Sequence, residues 1–220
     1  MSQHFEIPRD WTFRDQEVVA AFDRHVREQL PFYELVSGAV AHIARHYLPE
    51  VGTLYDIGAS TGNISQLLAE TINKRNIKTV SIDNAEEMRQ RFNGVGTLTI
   101  ADATEYDYEP FDVAVLFLVI MFIPVHKRAN FISRLLKKTR TGGAVIIVDK
   151  IADHSDYVGT IMRRMTIAGK VSSGTSAQDI LDKELSLGGI QRPMRLDTLP
   201  AQAQQFFRWG EFAGWIIEAN

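Results

Sequence analysis

Thr53-Leu54-Tyr55-Asp56-Ile57-Gly58-Ala59-Ser60-Thr61-Gly62-Asn63 is a short apolar run that ends in an acid and passes at once into a glycine-bearing turn. A helical pattern, Asn63-Ile64-Ser65-Gln66-Leu67-Leu68, follows directly. Strand, tight loop and helix start together form the geometry in which backbone N–H groups and the positive helix end meet an anionic ligand group. Gly58 and Gly62 suit a backbone that approaches a ligand closely or takes positive φ. Asp56 is a carboxylate and suits a ligand ammonium better than a pyrophosphate. The spacing Asp-x-Gly-x-x-x-Gly also lacks the third glycine of a dinucleotide fingerprint. Alone, the stretch is only moderately specific and also reads as a helix start after any α/β strand.

The sequence on either side gives it a context. Val18, Val19, Phe22, Val26 and Leu30 recur with a helical period until Pro31, and a second helical pattern runs through Val40, Ile43, Ala44 and Tyr47 to Pro49. Residues 1–13 read as an arm or early cap. After residue 51 strands and helices alternate. Strands are expected at 51–57, 79–83, 96–100, 111–117 and 144–149, with helices at 63–72, 85–92 and 126–139 and a turn at Thr141-Gly142-Gly143. Near-continuous Val/Ile/Leu runs between amphipathic helices indicate parallel strands buried on both faces. Such a doubly wound sheet binds ligands at the carboxyl ends of its strands. Residues 151–200, with five of the glycines and two prolines, break the rhythm and read as a cover over those strand ends, with helical pieces at 156–168 and 176–185. Residues 201–220 alternate aromatic and polar side chains, as two antiparallel edge strands turning near Gly210 would. The whole chain, 1–220, reads as a single domain of N-terminal helices (1–50), core (51–150), cover and terminal strands.

Bulk properties remove several classes of function. The 220 residues suffice for one substantial core, and 45% hydrophobic with 23% charged residues argues against disorder. A net charge of −3 gives no general nucleic-acid footprint, although a local basic patch would leave such a partner open. With no cysteine there is no disulfide, thiolate metal site or cysteine nucleophile, which fits a reducing cytoplasm. No stretch is long enough to span a bilayer; the best, Val113 to Ile123, is about half the length needed.

Three acids stand at successive expected strand ends. Asp83, at the end of the second strand, suits two ribose hydroxyls, and also suits a helix cap before Glu86-Glu87-Met88. Asp102 can accept from an adenine amine or form a turn, and Met88 can pack on adenine or in the core. The glycine turn with three acids is far more specific than any one of its members.

This constellation resembles motif I and its partners in the class I S-adenosylmethionine (SAM) dependent methyltransferases, whose acid-x-Gly-x-Gly-x-Gly motif carries a glycine where this chain has Ser60. Thr139-Arg140-Thr141-Gly142-Gly143 is similar to the Lys-Pro-Gly-Gly turn of that superfamily. More narrowly, Ala21-Phe22-Asp23-Arg24-His25-Val26, Leu30-Pro31-Phe32-Tyr33, Ser81-Ile82-Asp83-Asn84, Phe122-Ile123 and Phe212-Ala213-Gly214 resemble the carboxy-SAM synthases, which convert SAM with prephenate into a donor for tRNA wobble-uridine modification. The resemblance implies a seven-stranded, mostly parallel Rossmann-like sheet with an antiparallel C-terminal hairpin. It implies SAM as cofactor, with S-adenosylhomocysteine (SAH) as product. It also implies a cofactor-binding set of Tyr33, Asp56, Gly58, Ala59, Ser60, Gly62, Asn63, Asp83, Asn84, Met88, Asp102, Ala103 and Phe117, with Tyr33 near the methionyl end and Asn84 at the nucleoside.

Two departures bear on the reaction. The stretch after the fourth strand, Phe117-Leu118-Val119-Ile120-Met121, is wholly apolar where carboxy-SAM synthases carry Asn, Thr and Gln. Lys183-Glu184 stands where a Lys-Arg pair would hold an extra carboxylate. An acid there repels a carboxylate, and Arg163, Arg164, Arg192 and Arg195 are the candidates to supply missing positive charge. The apolar run reads either as a wall beside the sulfonium or as plain core. No general base stands out among His25, Asp149, Lys150 and His154, and no metal set is present. The expected activity is methyl transfer to a small-molecule acceptor. The alternatives are a carboxy-SAM synthase-like or tRNA-modification-related enzyme, and a SAM-binding protein without catalysis. A homodimer is compatible with all three.

Overall fold

A computed structural model describes residue 12 and residues 16–152 and 156–219. The arm expected at 1–13, apart from residue 12, and His154 lie outside the described residues. Helices α1 (Gln16–Gln29) and α2 (Tyr33–Tyr47) precede a single seven-stranded sheet. Its strands are β1 (Thr53–Ile57), β2 (Lys78–Asp83), β3 (Leu98–Ile100), β4 (Phe111–Phe117), β5 (Thr139–Lys150), β6 (Gln204–Trp209) and β7 (Phe212–Glu218). The spatial order is β3-β2-β1-β4-β5-β7-β6. The first five strands are parallel, and β7 inserts antiparallel between β5 and β6. Order reverses between β1 and β4, so the carboxyl ends of those strands open a crevice where α/β sheets take ligands.

Strand alternation divides the core into two layers. Leu54, Val113, Val115, Ile146 and Val148 face one side with α1 and α2. Tyr55, Ile57, Ala114, Leu116, Val145 and Ile147 face the other with α5 (Val125–Lys138). Both faces are covered, and this is why the parallel strands read as unbroken apolar runs rather than as an alternation.

Local chemistry moves several boundaries. The expected helix at 63–72 divides into α3 (Asn63–Leu67) and α4 (Ala69–Lys74) around Leu68. The expected helix after β2 is one stretch of 3-10 helix, Glu86–Gln90. The turn expected at Thr141-Gly142-Gly143 is part of the long strand β5, entered straight from the end of α5. Gly142 takes φ +81° within a register shift against β4. A Cβ at Gly143 would stand 2.2 Å from the Asp112 carbonyl oxygen, so the glycine pair permits close strand passage instead of a reversal.

The cover consists of α6 (Tyr157–Ser172) and α7 (Ala177–Ser186), capped by the Asp156 and Ser176 side chains. Gly169 lets α6 press on the terminal hairpin, because a Cβ there would meet the Trp209 ring at 2.1 Å. The segment after α7 is tied to the core. Met194 N–H donates to the Lys150 carbonyl at 2.7 Å, and Arg192 N–H to the Met121 carbonyl at 2.8 Å. The buried Arg128 guanidinium donates to the carbonyls of Ile123, Met121, Arg192 and Pro193, joining the turn after β4 to the cover. No described helix is long and apolar enough to cross a membrane.

Candidate cofactor and substrate site

The loop after β1 is shaped by backbone constraints. Gly58 takes φ +68°, Ser60 +50° and Gly62 +91°. Gly58 and Ala59 both donate their N–H to the Ile82 carbonyl, and a Cβ on Gly58 would stand 2.4 Å from Val119 Cγ2. Glycine is therefore required at 58 by both conformation and space. Ser60 adopts a conformation that glycine takes at no cost, which gives a physical reason for the glycine of the motif it resembles. Gly62 caps α3 and packs within 2.5 Å of the Gly94 backbone, counted from its ideal Cβ, rather than facing the crevice.

The acids serve the loop before any ligand arrives. Asp83 accepts from Ser60 N–H at 2.9 Å and Ala85 N–H at 3.0 Å, so it clamps the β1 loop to the end of β2. Burial holds its carboxyl above the ordinary value despite those donors. Asp56 is fully enclosed, accepts from Ser65 N–H at 3.2 Å, and is pushed up to about 7, chiefly by burial and further by the Asp83 charge. Asp102 is exposed and forms the turn foreseen for it, accepting from the N–H and hydroxyl of Thr104 at 2.8 Å.

A cavity of about 260 Å³ lies over these strand ends. It is lined by Tyr33, Asp56, Gly58, Ala59, Ser60, Asn63, Asp83, Asn84, Met88, Asp102, Ala103 and Phe117, and Gly62 is the one member of the expected set that it leaves out. Tyr33 is held by an edge contact with Phe117, 5.4 Å between ring centres, and by the Arg27 guanidinium 5.1 Å from its ring. The apolar stretch after β4 is partly wall and partly core. Phe117, Leu118 and Val119 line the cavity, whereas Ile120 is fully buried in the core layer against α5, and Met121, Phe122 and Ile123 continue the wall. Leu118 takes φ +64°, a conformation unfavourable for a bulky residue. Asp149 holds it there by accepting from the N–H groups of Ile120 (2.6 Å), Met121 (3.2 Å) and Lys150 (2.8 Å). Asp149 therefore works behind the wall and does not reach the cavity.

The opposite end of the cavity follows from no short-range pattern in the sequence. Lys150, Lys170, Lys183, Glu184, Gln29, Gln191 and His25 line it. None of Arg163, Arg164, Arg192 and Arg195 lines it; all four are exposed, and Arg195 pairs with Asp197. The positive charge beside Glu184 comes from the buried Lys150 and Lys170, and this corrects the expectation that arginines would supply it. Glu184 faces Lys170 Nζ at 3.2 Å and Lys150 Nζ at 3.6 Å. Burial and the Lys170 charge push Lys183 down to about 5, and burial with the Lys183 and Lys170 charges pushes His25 down to about 3. A signal existed for Lys183: it lies three residues from Ile180 and four from Leu187, so all three share the buried face of α7 and its extension. Lys170 carries no comparable mark.

The residues fit SAM. The carboxyl groups of Asp56, Asp83 and Asp102 lie along one end and can accept further hydrogen bonds beside those the backbone gives them; an ammonium, a ribose diol and an exocyclic amine are suitable donors. The Asn63 amide Nδ2 lines the same end, buried and without a hydrogen-bond partner among the described residues. A buried amide in that state calls for an acceptor such as a ligand carboxylate.

Comparison with known proteins agrees. Residues 55–147, from β1 to β5, match the methyltransferase domain family. A carboxy-S-adenosyl-L-methionine synthase of Staphylococcus epidermidis is 26% identical over 95% of this chain and 97% of its own length. One from Wolinella succinogenes is 27% identical over 97% and 95%. Among solved structures, the plantazolicin methyltransferase BpumL in complex with SAH aligns over 94% of this chain and 92% of its own, at 13% identity and a TM-score of 0.63. Human N-acetylserotonin methyltransferase in complex with SAM aligns over 94% and 57%, at 12% identity and a TM-score of 0.55. The fold is that of the class I methyltransferases, whose cofactor is SAM, and residues 55–147 are similar to their methyltransferase domain. Within the class, the chain resembles carboxy-SAM synthase over nearly its whole length.

Proposed function

We propose that the protein transfers the methyl group of SAM to a small-molecule acceptor. The observation that carries this reading is the division of one cavity. Strand-end acids and the β1 loop form one end, an apolar wall from Phe117 to Val119 and then Met121 to Ile123 forms the middle, and the cover closes the other end. SAM bound there supplies an activated methyl group on a sulfonium. The chain's own residues then have three tasks. Asp83 and Asp56 orient donors at the acid end. The apolar wall excludes water from the middle. The Tyr33 ring, fixed by Phe117 and Arg27, holds one side of the cavity. Placement of reactants and exclusion of water account for rate without a dedicated base.

A second reading, a carboxy-SAM synthase-like enzyme, is favoured by the full-length likeness to proteins of that name. The two separate on mass. Incubation with SAM and prephenate, followed by mass spectrometry of the nucleoside products, should return no carboxylated nucleoside. Its formation would overturn methyl transfer and establish the second reading. Recovery of SAM or SAH from the purified protein would support the shared part of both.

A further inference from the structure

Three separate elements bring a lysine to the cover end of the cavity: Lys150 from the end of β5, Lys170 from the last turn of α6 and Lys183 from α7. All are buried, at 6%, 6% and 8% exposure. Among the described residues Glu184 is the one acid lining this end of the cavity, and it stands between Lys150 and Lys170. Lys150 also donates to Gln191 Oε1 at 3.3 Å, so its ammonium is fixed in direction. The Glu184 carboxyl is held below its ordinary value because the two lysine charges outweigh its burial. Buried ammonium groups persist when an anion is brought to them. Here the cover helix itself brings that anion.

We propose that Lys150 and Lys170, with Lys183 buried beside them, form an anion subsite of the cavity that the chain fills with its own Glu184 carboxylate. Glu184 is then the residue that excludes a carboxylate-bearing ligand from the cover end. An incoming carboxylate has to share the lysines with a fixed charge of its own sign, while a neutral group does not. This inference rests on the reading that SAM occupies the acid-lined end, and it names the discrimination made at the other end.

Malonate is the probe, titrated by calorimetry with SAM present, into wild type and Glu184→Gln. The glutamine keeps the shape and removes the charge. Malonate should bind Glu184→Gln at least about tenfold more tightly than wild type, the scale of one additional charge-assisted hydrogen bond. SAM affinity should stay within about threefold, because Glu184 lies outside the acid-lined end. The double variant Glu184→Gln/Lys170→Met should lose the malonate gain. Equal malonate affinity in wild type and Glu184→Gln, or a gain that survives loss of Lys170, overturns the proposal. If circular dichroism shows Glu184→Gln unfolded, Glu184→Asp draws the carboxylate back by one methylene. It should then gain malonate affinity by at least about threefold, and no gain overturns the proposal. Absence of SAM binding by the wild type would instead overturn the methyl-transfer reading, with malonate titrated alone still testing the subsite.

Discussion

The two ends of the cavity differ in how they are made. The acid end is formed by consecutive short pieces of chain. A strand ends, a loop turns, and the acid at the next strand end clamps that loop through Ser60 N–H. Its ligand-facing groups lie at fixed offsets from strand ends and are held by backbone geometry. The cover end is assembled from residues 150, 170, 183 and 191, which no local rule brings together. Its chemistry rests on side-chain charge, with one carboxylate between two lysines. The comparison implies different failure modes. Damage at the acid end disturbs backbone and cofactor binding together, whereas damage at the cover end changes which charges are admitted.

The largest effect is expected at Asp149, which belongs to neither end and holds the wall between them. Its carboxylate answers three backbone N–H groups, those of Ile120, Met121 and Lys150, around the unfavourable Leu118 conformation. Asp149→Ala leaves three buried donors unanswered and should cost about 3 kcal/mol or more of folding stability by chemical denaturation. A loss under about 1 kcal/mol would mean that the wall is held by packing alone.

Asp83→Ala comes next and tests the acid end directly. It should weaken SAM binding by about 1.5–3 kcal/mol, through lost charge-assisted hydrogen bonds and release of the Ser60 loop. Calorimetry that found equal affinity would remove Asp83 from the cofactor site. The Lys170→Met change at the other end should leave SAM affinity within about threefold, and this contrast is the direct measure of the division.

The pH response separates folding from cofactor binding. Asp56 and Asp149 have folded values raised to about 7 from 3.8. A raised acid holds its proton in the folded state where the unfolded chain has released it. The stability it adds is therefore greatest toward pH 4, declines as pH climbs to 7, and is level beyond. Cofactor binding follows the opposite course. A cationic ligand group favours ionised Asp56, so SAM affinity should rise about tenfold from pH 6 to 8. Calorimetry across that range on wild type and Asp56→Asn checks this, and the slope should vanish in the variant. A slope that survives would reassign the titrating group.

The same asymmetry explains what could be read from the chain. The alternation of strands and helices and the buried parallel strands follow from short-range patterns, whereas the expected site set follows from the family resemblance, and twelve of its thirteen members line the cavity. Gly62 departs from the set because its spacing is equally served by packing on Gly94. The turn expected at Gly142-Gly143 fails for a related reason, since a glycine pair that ends a helix pattern also lets two strands pass closely. Lys150 and Lys170 look like solvated residues in sequence, and only the spacing of Lys183 to Ile180 and Leu187 marks a buried face. Burial makes them a cluster, and burial depends on how α6 and α7 dock on the terminal hairpin through Gly169 and Trp209.

The smallest expected effect belongs to Ser60, and it decides whether the acid end is read through backbone or side chain. Ser60 sits at φ +50°, where glycine carries no steric cost. Ser60→Gly should relieve about 1 kcal/mol of local strain and give back a similar amount through the greater freedom of the unfolded chain. Net stability should therefore change by less than about 1 kcal/mol. The Ser60 N–H bond to Asp83 survives the change, and only the hydroxyl contact with Met88 Sδ at 3.6 Å is lost. SAM affinity should stay within about threefold of wild type if backbone geometry makes this end of the site. A loss greater than about tenfold would show that the Ser60 hydroxyl touches the ligand, and the two ends would then both depend on side-chain chemistry.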